Sequence, residues 1–325
     1  MLYFWYSVMS KTLSVVVPVF NEAGGLADFH HSLIKVLDGI GMDWEIIYCD
    51  DGSHDDTTKK IRDFREADRR VKLLKLSRNF GKELATTAGL HAAEGDAIIM
   101  LDGDGQHPVE LIPEFIKHWQ AGHKVVVGVR KTNHREGFTK RFGSAVFYKL
   151  FNRFSGFRLR PGATDFRLID RSVQQDFVRM TERNRITRGL IDWLGYKQDY
   201  IDFDAKARQS GKAGYSFNKL FQLALDSIVS MSLSPLRLAA YAGAIVLPAS
   251  VLLGLFMLVD AIFGDPAHLH ATGSAYVMVM LLFLVGLLLV SQGIIGLYLS
   301  HIHSETQNRP LYVIDREQSA GIDEK

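Results

Sequence analysis

Two aspartate-rich runs in the 325-residue chain have the composition to do chemistry: Asp50-Asp51-Gly52-Ser53-His54-Asp55 and Asp102-Gly103-Asp104-Gly105-Gln106. In the second, two carboxylates flank one glycine and an amide oxygen follows. These are hard oxygen ligands of the kind Mg2+ and Mn2+ take, and such sites keep positions open for phosphate oxygens and water. A polar turn that uses Asp and Gly for backbone reasons has the same composition. An EF-hand calcium loop does not: counted from Asp102, the sixth position is His107 instead of Gly and the twelfth is Pro113 instead of Glu. Other chemistries are poorly supplied. The single cysteine, Cys49, excludes a disulfide framework and a cysteine-based zinc site, and its apolar surroundings read as buried and inert. The twelve histidines contain no H-E-x-x-H spacing. A net charge of +2 points to neither nucleic acid nor an acidic partner.

Both runs follow short apolar segments. Residues 13–17, stopped by Pro18, then 45–49, 71–76, 97–101 and 124–129 read as strands. Residues 24–37, 55–67, 82–93 and 108–120 read as the helices between them. Short apolar strands alternating with helices predict an α/β domain with a mostly parallel sheet covered on both faces. Ligands of such sheets bind beyond the carboxyl ends of the strands, which is where both aspartate runs fall.

Pro18-Val19-Phe20-Asn21-Glu22 after the first strand, Asp50 to Ser53 after the second and Asp102 to Gln106 after the fourth make an ordered set. Arg78-Asn79-Phe80-Gly81-Lys82-Glu83, Thr164-Asp165-Phe166-Arg167-Leu168 and residues 208–215 extend it. Together they resemble glycosyltransferase family 2, and with the apolar C-terminal region they look like the bacterial polyprenyl-phosphate (bactoprenol) glycosyltransferases, relatives of dolichol-phosphate mannose synthase. The resemblance covers residues 10–310 and implies a GT-A, Rossmann-like nucleotide-sugar-binding domain. By that resemblance Pro18, Phe20, Glu22 and Asp51 line the base and ribose pocket. Asp102, with Gly103, and Asp104 hold the metal, Mg2+ or Mn2+, and the diphosphate, and Gln106 completes the metal shell. Arg130 and Arg208 reach donor or acceptor phosphates, Lys82 near a helix start could bind phosphate, and Asp165 lies near the reacting atoms. The implied partners are a nucleotide-sugar donor, a UDP-sugar by the same resemblance, a polyprenyl phosphate acceptor, membrane lipids and other copies of the chain in a tetramer.

The charges concentrate before Arg237. Residues 238–259 and 275–300 carry none, and at about 1.5 Å per residue either run spans a hydrocarbon core of roughly 30 Å. The connection between them holds Asp265, His268 and His270 but no Lys or Arg, while Arg237, Arg309 and Arg316 flank the spans. The positive-inside rule therefore places the connection outside and both the large N-terminal region and the tail on the cytoplasmic side, and the resemblance implies a bacterial inner membrane. The expected organisation is a GT-A catalytic domain over 10–215, an amphipathic juxtamembrane helix over 216–235, membrane helices over 236–263 and 275–300, an external loop over 264–274 and a cytoplasmic tail over 301–325. Within the catalytic domain, residues 139–154 place Phe142, Val146, Phe147, Leu150, Phe151 and Phe154 on one helical face rimmed by Lys140, Arg141, Lys149 and Arg153. That pattern suits a helix lying in the headgroup region, and an ordinary core helix shares it. The apolar residues 1–9 either lie at the interface or precede a natural start at Met9.

A metal-bound diphosphate is a stabilised leaving group, and a phosphate monoester acceptor with a second pKa near about 6 is mostly dianionic at neutral pH. Such an acceptor needs no strong base, and direct attack inverts the anomeric centre. A processive polysaccharide synthase of the same superfamily would need a hydroxyl acceptor, a carboxylate base and a Q-x-x-R-W segment. No such segment occurs; the nearest tryptophan context is residues 188–193. A non-catalytic membrane scaffold would have no use for intact Asp102, Asp104 and Gln106.

Overall fold

Strict alternation in the first strand organises the catalytic unit. In β1 (Thr12–Val19), Leu13, Val15, Val17 and Val19 enter one apolar cluster, whereas Val16 enters a second on the opposite face. A strand with apolar residues on both sides must lie inside a sheet covered twice. The computed structural model, which describes residues 11–131, 162–183, 185–204 and 273–322 with single positions between 241 and 259, has that architecture.

The elements follow as α1 (Leu26–Leu37), β2 (Asp43–Asp50), α2 (Thr57–Ala67), β3 (Val71–Lys75), α3 (Lys82–Ala92) and β4 (Ala97–Met100). A 3-10 turn (Val109–Leu111) leads into α4 (Ile112–Gln120), then come β5 (Val125–Arg130), β6 (Ala163–Asp170), α5 (Arg171–Val178), α6 (Thr187–Trp193) and β7 (Gln198–Phe203). The sheet order is β3-β2-β1-β4-β6-β5-β7. α1, α2 and α4 cover one face through Phe29, Leu33, Ile61 and Phe115; α3, α5 and α6 cover the other through Ala85, Ala88, Phe177 and Ile191. α3 lies especially close to the sheet. A Cβ on Gly89 would come within 2.4 Å of Val16 Cγ1 and 2.5 Å of Cys49 Sγ, so only glycine allows this approach.

The strands and helices read from the sequence as far as residue 129 are present within a few residues. The sheet also holds a strand that the apolar pattern does not mark. β6 lies between β4 and β5 and is antiparallel to both. It carries Asp165 and the fully buried Arg167, whose guanidinium donates to Asp192 at 2.7 Å and to the carbonyls of Thr164 and Arg188. A buried arginine is tolerated when paired in this way.

The first of two compact units contains this sheet and the C-terminal residues from Arg309. Those residues run along β3, the edge strand. Isolated antiparallel bridges join Leu73 to Ala320 and Leu76 to Ile314, while Tyr312, Ile314 and Ile322 pack against the cluster beneath α3. An edge strand exposes unpaired backbone groups, and the tail occupies some of them. The second unit includes α7 (Gly273–Thr306), whose segment Tyr276–Ser300, 25 residues with a mean hydropathy of 2.5, is long and apolar enough to cross a membrane by length and composition. The expected helices over 139–154 and 216–235 lie outside the described residues, as do most of 236–263, the loop 264–272, residues 1–10 and Arg208.

Candidate active site

β1, β2 and β4 are mutually parallel, so their carboxyl ends open on one edge of the sheet. Val19 pairs with Asp50 in register, and Pro18 lies beyond the last β1–β4 pair, Val16 with Met100, where a strand can give up an N–H. β6 completes the edge because it is antiparallel: Arg167 pairs with Met100, so the start of β6 meets the end of β4 and brings Asp165 beside Asp102.

The loop after β2 is held by neutral donors. Asp50 is fully buried, and its carboxylate accepts from Ser53 N at 2.8 Å and Thr58 Oγ1 at 2.5 Å. Asp51 accepts from the backbone of Phe80 at 2.7 Å and Gly81 at 2.9 Å. Burial pushes the Asp51 carboxyl above the usual range, and those two amides oppose the shift without cancelling it. Gly52 turns the chain at φ +73°, and a Cβ there would lie 2.5 Å from the Arg78 carbonyl carbon. Asn21, itself at φ 52°, donates its N–H to Ser53 Oγ at 3.0 Å and accepts from His54 N at 2.9 Å. The loops after β1 and β2 are thus one hydrogen-bonded surface, with Phe20 exposed upon it.

The loop after β4 is held by charge. Lys82 Nζ lies 2.7 Å from one Asp102 oxygen, 2.9 Å from the other and 2.8 Å from Asp165 Oδ2. Partial enclosure lowers the ammonium pKa, and the two carboxylates more than reverse this, leaving Lys82 above its ordinary value. Burial raises Asp165, but Lys82, then Arg188 and Arg167, outweigh it and hold the carboxyl below its ordinary value. Gln106 donates its backbone N–H and side-chain amide to Asp104 at 3.1 and 2.8 Å. His107 is buried against Phe166 and accepts the Asp102 N–H at 3.1 Å; burial lowers its pKa and favours the neutral ring.

Residues 14–177 match the family described as Glycosyl transferase family 2. The chain belongs to that family. A bactoprenol glucosyl transferase of Shigella phage SfV is 36% identical, covering 94% of this chain and 99% of its own. A prophage bactoprenol glucosyl transferase homolog of Escherichia coli K12 is 37% identical over 94% and 98%. An uncharacterised glycosyltransferase of Synechocystis is 38% identical over 94% and 95%. Among solved structures, a glucosyl-3-phosphoglycerate synthase of Mycobacterium tuberculosis, in complex with Mn2+, UDP and glucosyl-3-phosphoglycerate, is a distant likeness: 18% identity, 69% of this chain, 79% of its own and a TM-score of 0.46.

In this family 2 glycosyltransferase the sheet is GT-A-like, and the residues singled out from the sequence are distributed unevenly. Pro18 lies near the end of β1, Phe20 and Glu22 on the loop after it, Asp51 on the loop after β2, and Asp102, Gly103, Asp104 and Gln106 on the loop after β4, all at the carboxyl edge. Arg130 ends β5 at the same edge, exposed, with its N–H bonded to Gly162 O at 2.8 Å. Lys82, read as a phosphate ligand, is engaged with two carboxylates in this structure. His107 and Thr58 take part without having been singled out: a buried ring against Phe166 and a hydroxyl on the Asp50 carboxylate leave no mark in periodicity. Among the described residues no three His, Cys, Asp or Glu side chains converge closely enough to ligate a metal by themselves. Asp102, Asp104 and Gln106 offer two carboxylates and an amide oxygen, hard donors of the kind a divalent cation takes, beside the Lys82 ammonium.

Proposed function

We propose that this glycosyltransferase moves a sugar from a nucleotide-sugar, a UDP-sugar by analogy with its relatives' glucosyl chemistry, to a polyprenyl phosphate at the cytoplasmic face of the membrane, with inversion. One observation carries the reading: at the carboxyl edge, a loop organised by neutral hydrogen bonds adjoins a loop organised by charge, and the relatives sharing this chain nearly end to end are named bactoprenol glucosyl transferases.

The neutral side suits a nucleoside. Phe20 is exposed for stacking, and Asp51, with both oxygens already accepting amides, retains lone pairs for a ring N–H or a ribose hydroxyl. The charged side suits a diphosphate. Asp102, Asp104 and Gln106 would hold Mg2+ or Mn2+, which when bound supplies positive charge against the nucleoside diphosphate that leaves. Arg130 and Arg208 would add cationic contacts to donor or acceptor phosphate. Asp165, kept ionised by its cationic neighbours, would orient Lys82 and the arginines around the acceptor. A dianionic phosphate oxygen forms the new bond to the anomeric carbon as the donor C–O bond breaks, so no proton has to be moved.

The tail supports two membrane crossings. Residues 311–322 pack on the same unit as the catalytic sheet, which fits an even number of membrane crossings by the chain between 204 and 309. α7 would be one crossing and residues 236–263 the other. The absence of Lys and Arg from the connection favours a cytoplasmic catalytic unit.

The test is transfer by the full-length protein in lipid nanodiscs across a panel of nucleotide-sugars, with and without undecaprenyl phosphate. Glycosyl-lipid formed only with the lipid phosphate is the expected result. Donor turnover indifferent to lipid phosphate would defeat the acceptor assignment, and sugar polymer formation would favour a processive synthase.

A further inference from the structure

The C-terminal tail does more than cover an edge strand. Gln318 Oε1 accepts from Lys75 Nζ at 2.8 Å, and the same ammonium donates to Thr58 Oγ1 at 3.2 Å. Thr58 in turn donates to the buried carboxylate of Asp50, whose other oxygen accepts the Ser53 N–H. Ser53 Oγ then accepts the N–H of Asn21. A continuous series of hydrogen bonds thus leads from the tail, behind the sheet edge, to the two loops that form the nucleoside side of the site. The tail is itself fixed against β3 at several points: Lys75 N donates to Ser319 Oγ at 3.0 Å, Asp315 N to Lys75 O at 2.8 Å, and Arg62 Nη2 to the Gln318 carbonyl at 3.3 Å.

Lys75 is the decisive link. It is half-buried at the end of β3, and within this series it is the only cation directed at the Thr58–Asp50 pair. An ammonium with three donors settles where acceptors collect. Without Gln318 it can turn toward water, and Thr58 loses the partner that sets its hydroxyl toward Asp50. A buried carboxylate that loses part of its solvation is costly, and the backbone turn it anchors loosens with it.

We propose that Gln318 is a positioning residue for donor binding, acting through Lys75 and Thr58 on the Asp50–Ser53 loop. The inference rests on the reading of that loop as the nucleoside site. It is tested on the full-length protein in nanodiscs by calorimetry with UDP and by steady-state transfer. Gln318→Ala should weaken UDP binding by roughly tenfold, the size of one hydrogen bond to a charged group. KM for the donor should rise in parallel, while kcat at saturating donor and KM for the lipid acceptor hold. Gln318→Glu keeps an acceptor for Lys75 and should restore wild-type affinity, which a tail acting only as packing would not do. Unchanged UDP affinity in Gln318→Ala overturns the proposal, as does an equal loss in Gln318→Glu. Failure of the wild type to bind UDP at all would instead remove the donor assignment, and this inference with it.

Discussion

The two aspartate runs are neighbours on one sheet edge and are built on opposite principles. Asp50 and Asp51 are buried and receive hydrogen bonds from backbone amides and a hydroxyl, none of them charged. Asp102 is half-exposed and shares the Lys82 ammonium with Asp165, on a strand distant in sequence. The first arrangement is complete before any ligand arrives, so it can present a fixed shape to a neutral base and ribose. The second sets one ammonium against two carboxylates, and on the proposed reading it exchanges that cation for a metal when a diphosphate enters. Preorganisation suits the part of a donor whose charge does not change, and replaceable charge suits the part on which charge develops.

The comparison can be broken most forcefully at the charged run. Asp104→Ala should lower kcat/KM for transfer by at least about a hundredfold while circular dichroism and the melting temperature stay near wild type, and excess EDTA should do the same to the unmodified protein. Undiminished turnover under chelation would mean that the run is a turn and not a metal site. Lys82→Met comes next. If Lys82 occupies the side of Asp102 that a metal needs, Mn2+ binding measured by electron paramagnetic resonance without nucleotide should tighten by about fivefold, near the 1 kcal/mol of a solvent-accessible ion pair. Unchanged affinity would separate the lysine from the metal ligands.

A smaller effect has opposite sign at Asp51 and at Asp165, the carboxylate that shares Lys82 with the charged run. The lowered pKa of Asp165 means that its ionised form stabilises the fold above the ordinary carboxylate value of 3.8, a contribution lost as pH falls through the lowered folded value. Asp51, raised by burial, destabilises when ionised and is relieved as pH falls through its raised folded value. Thermal melts from roughly pH 6 to 3 should show the advantage of wild type over Asp165→Asn shrinking, while its advantage over Asp51→Asn grows. Gaps that move together would show that the runs share one electrostatic environment. The smallest expected change is Tyr312→Phe, which removes the 2.9 Å hydrogen bond between the tail and His91 Nδ1. It should cost about 0.5–1 kcal/mol of stability and leave UDP affinity unchanged, because this contact reaches α3 and not the donor loop.

What could be read from residues alone was what repeats or clusters locally. β1 to β5 announce themselves through apolar runs, and Asp102 to Gln106 through five consecutive residues. β6 escaped because a strand holding Asp165 and Arg167 breaks the apolar pattern, and its buried guanidinium makes sense only once Asp192 is folded beside it. Lys82 was visible as a cation near a helix start, but its partners are 20 and 83 residues away. The tail was least legible of all. It meets β3 through isolated bridges and through polar side chains such as Gln318 and Ser319, with no alternation to signal a strand.

That tail has a consequence for biosynthesis. Lys75 bonds Ser319 across 244 residues and Arg62 bonds Gln318 across 256. β3 is made early, and the residues that close its edge follow both apolar stretches, 238–259 and 275–300. Until those residues emerge the nascent sheet carries an open edge, the feature through which chains pair wrongly with one another. A chain terminated after α7 would hold all the aspartates of the site yet remain in that exposed condition, prone to aggregate. A fusion partner joined directly after Ile322 would burden the residues that must find β3, whereas one joined ahead of β1 would leave that closure free to occur.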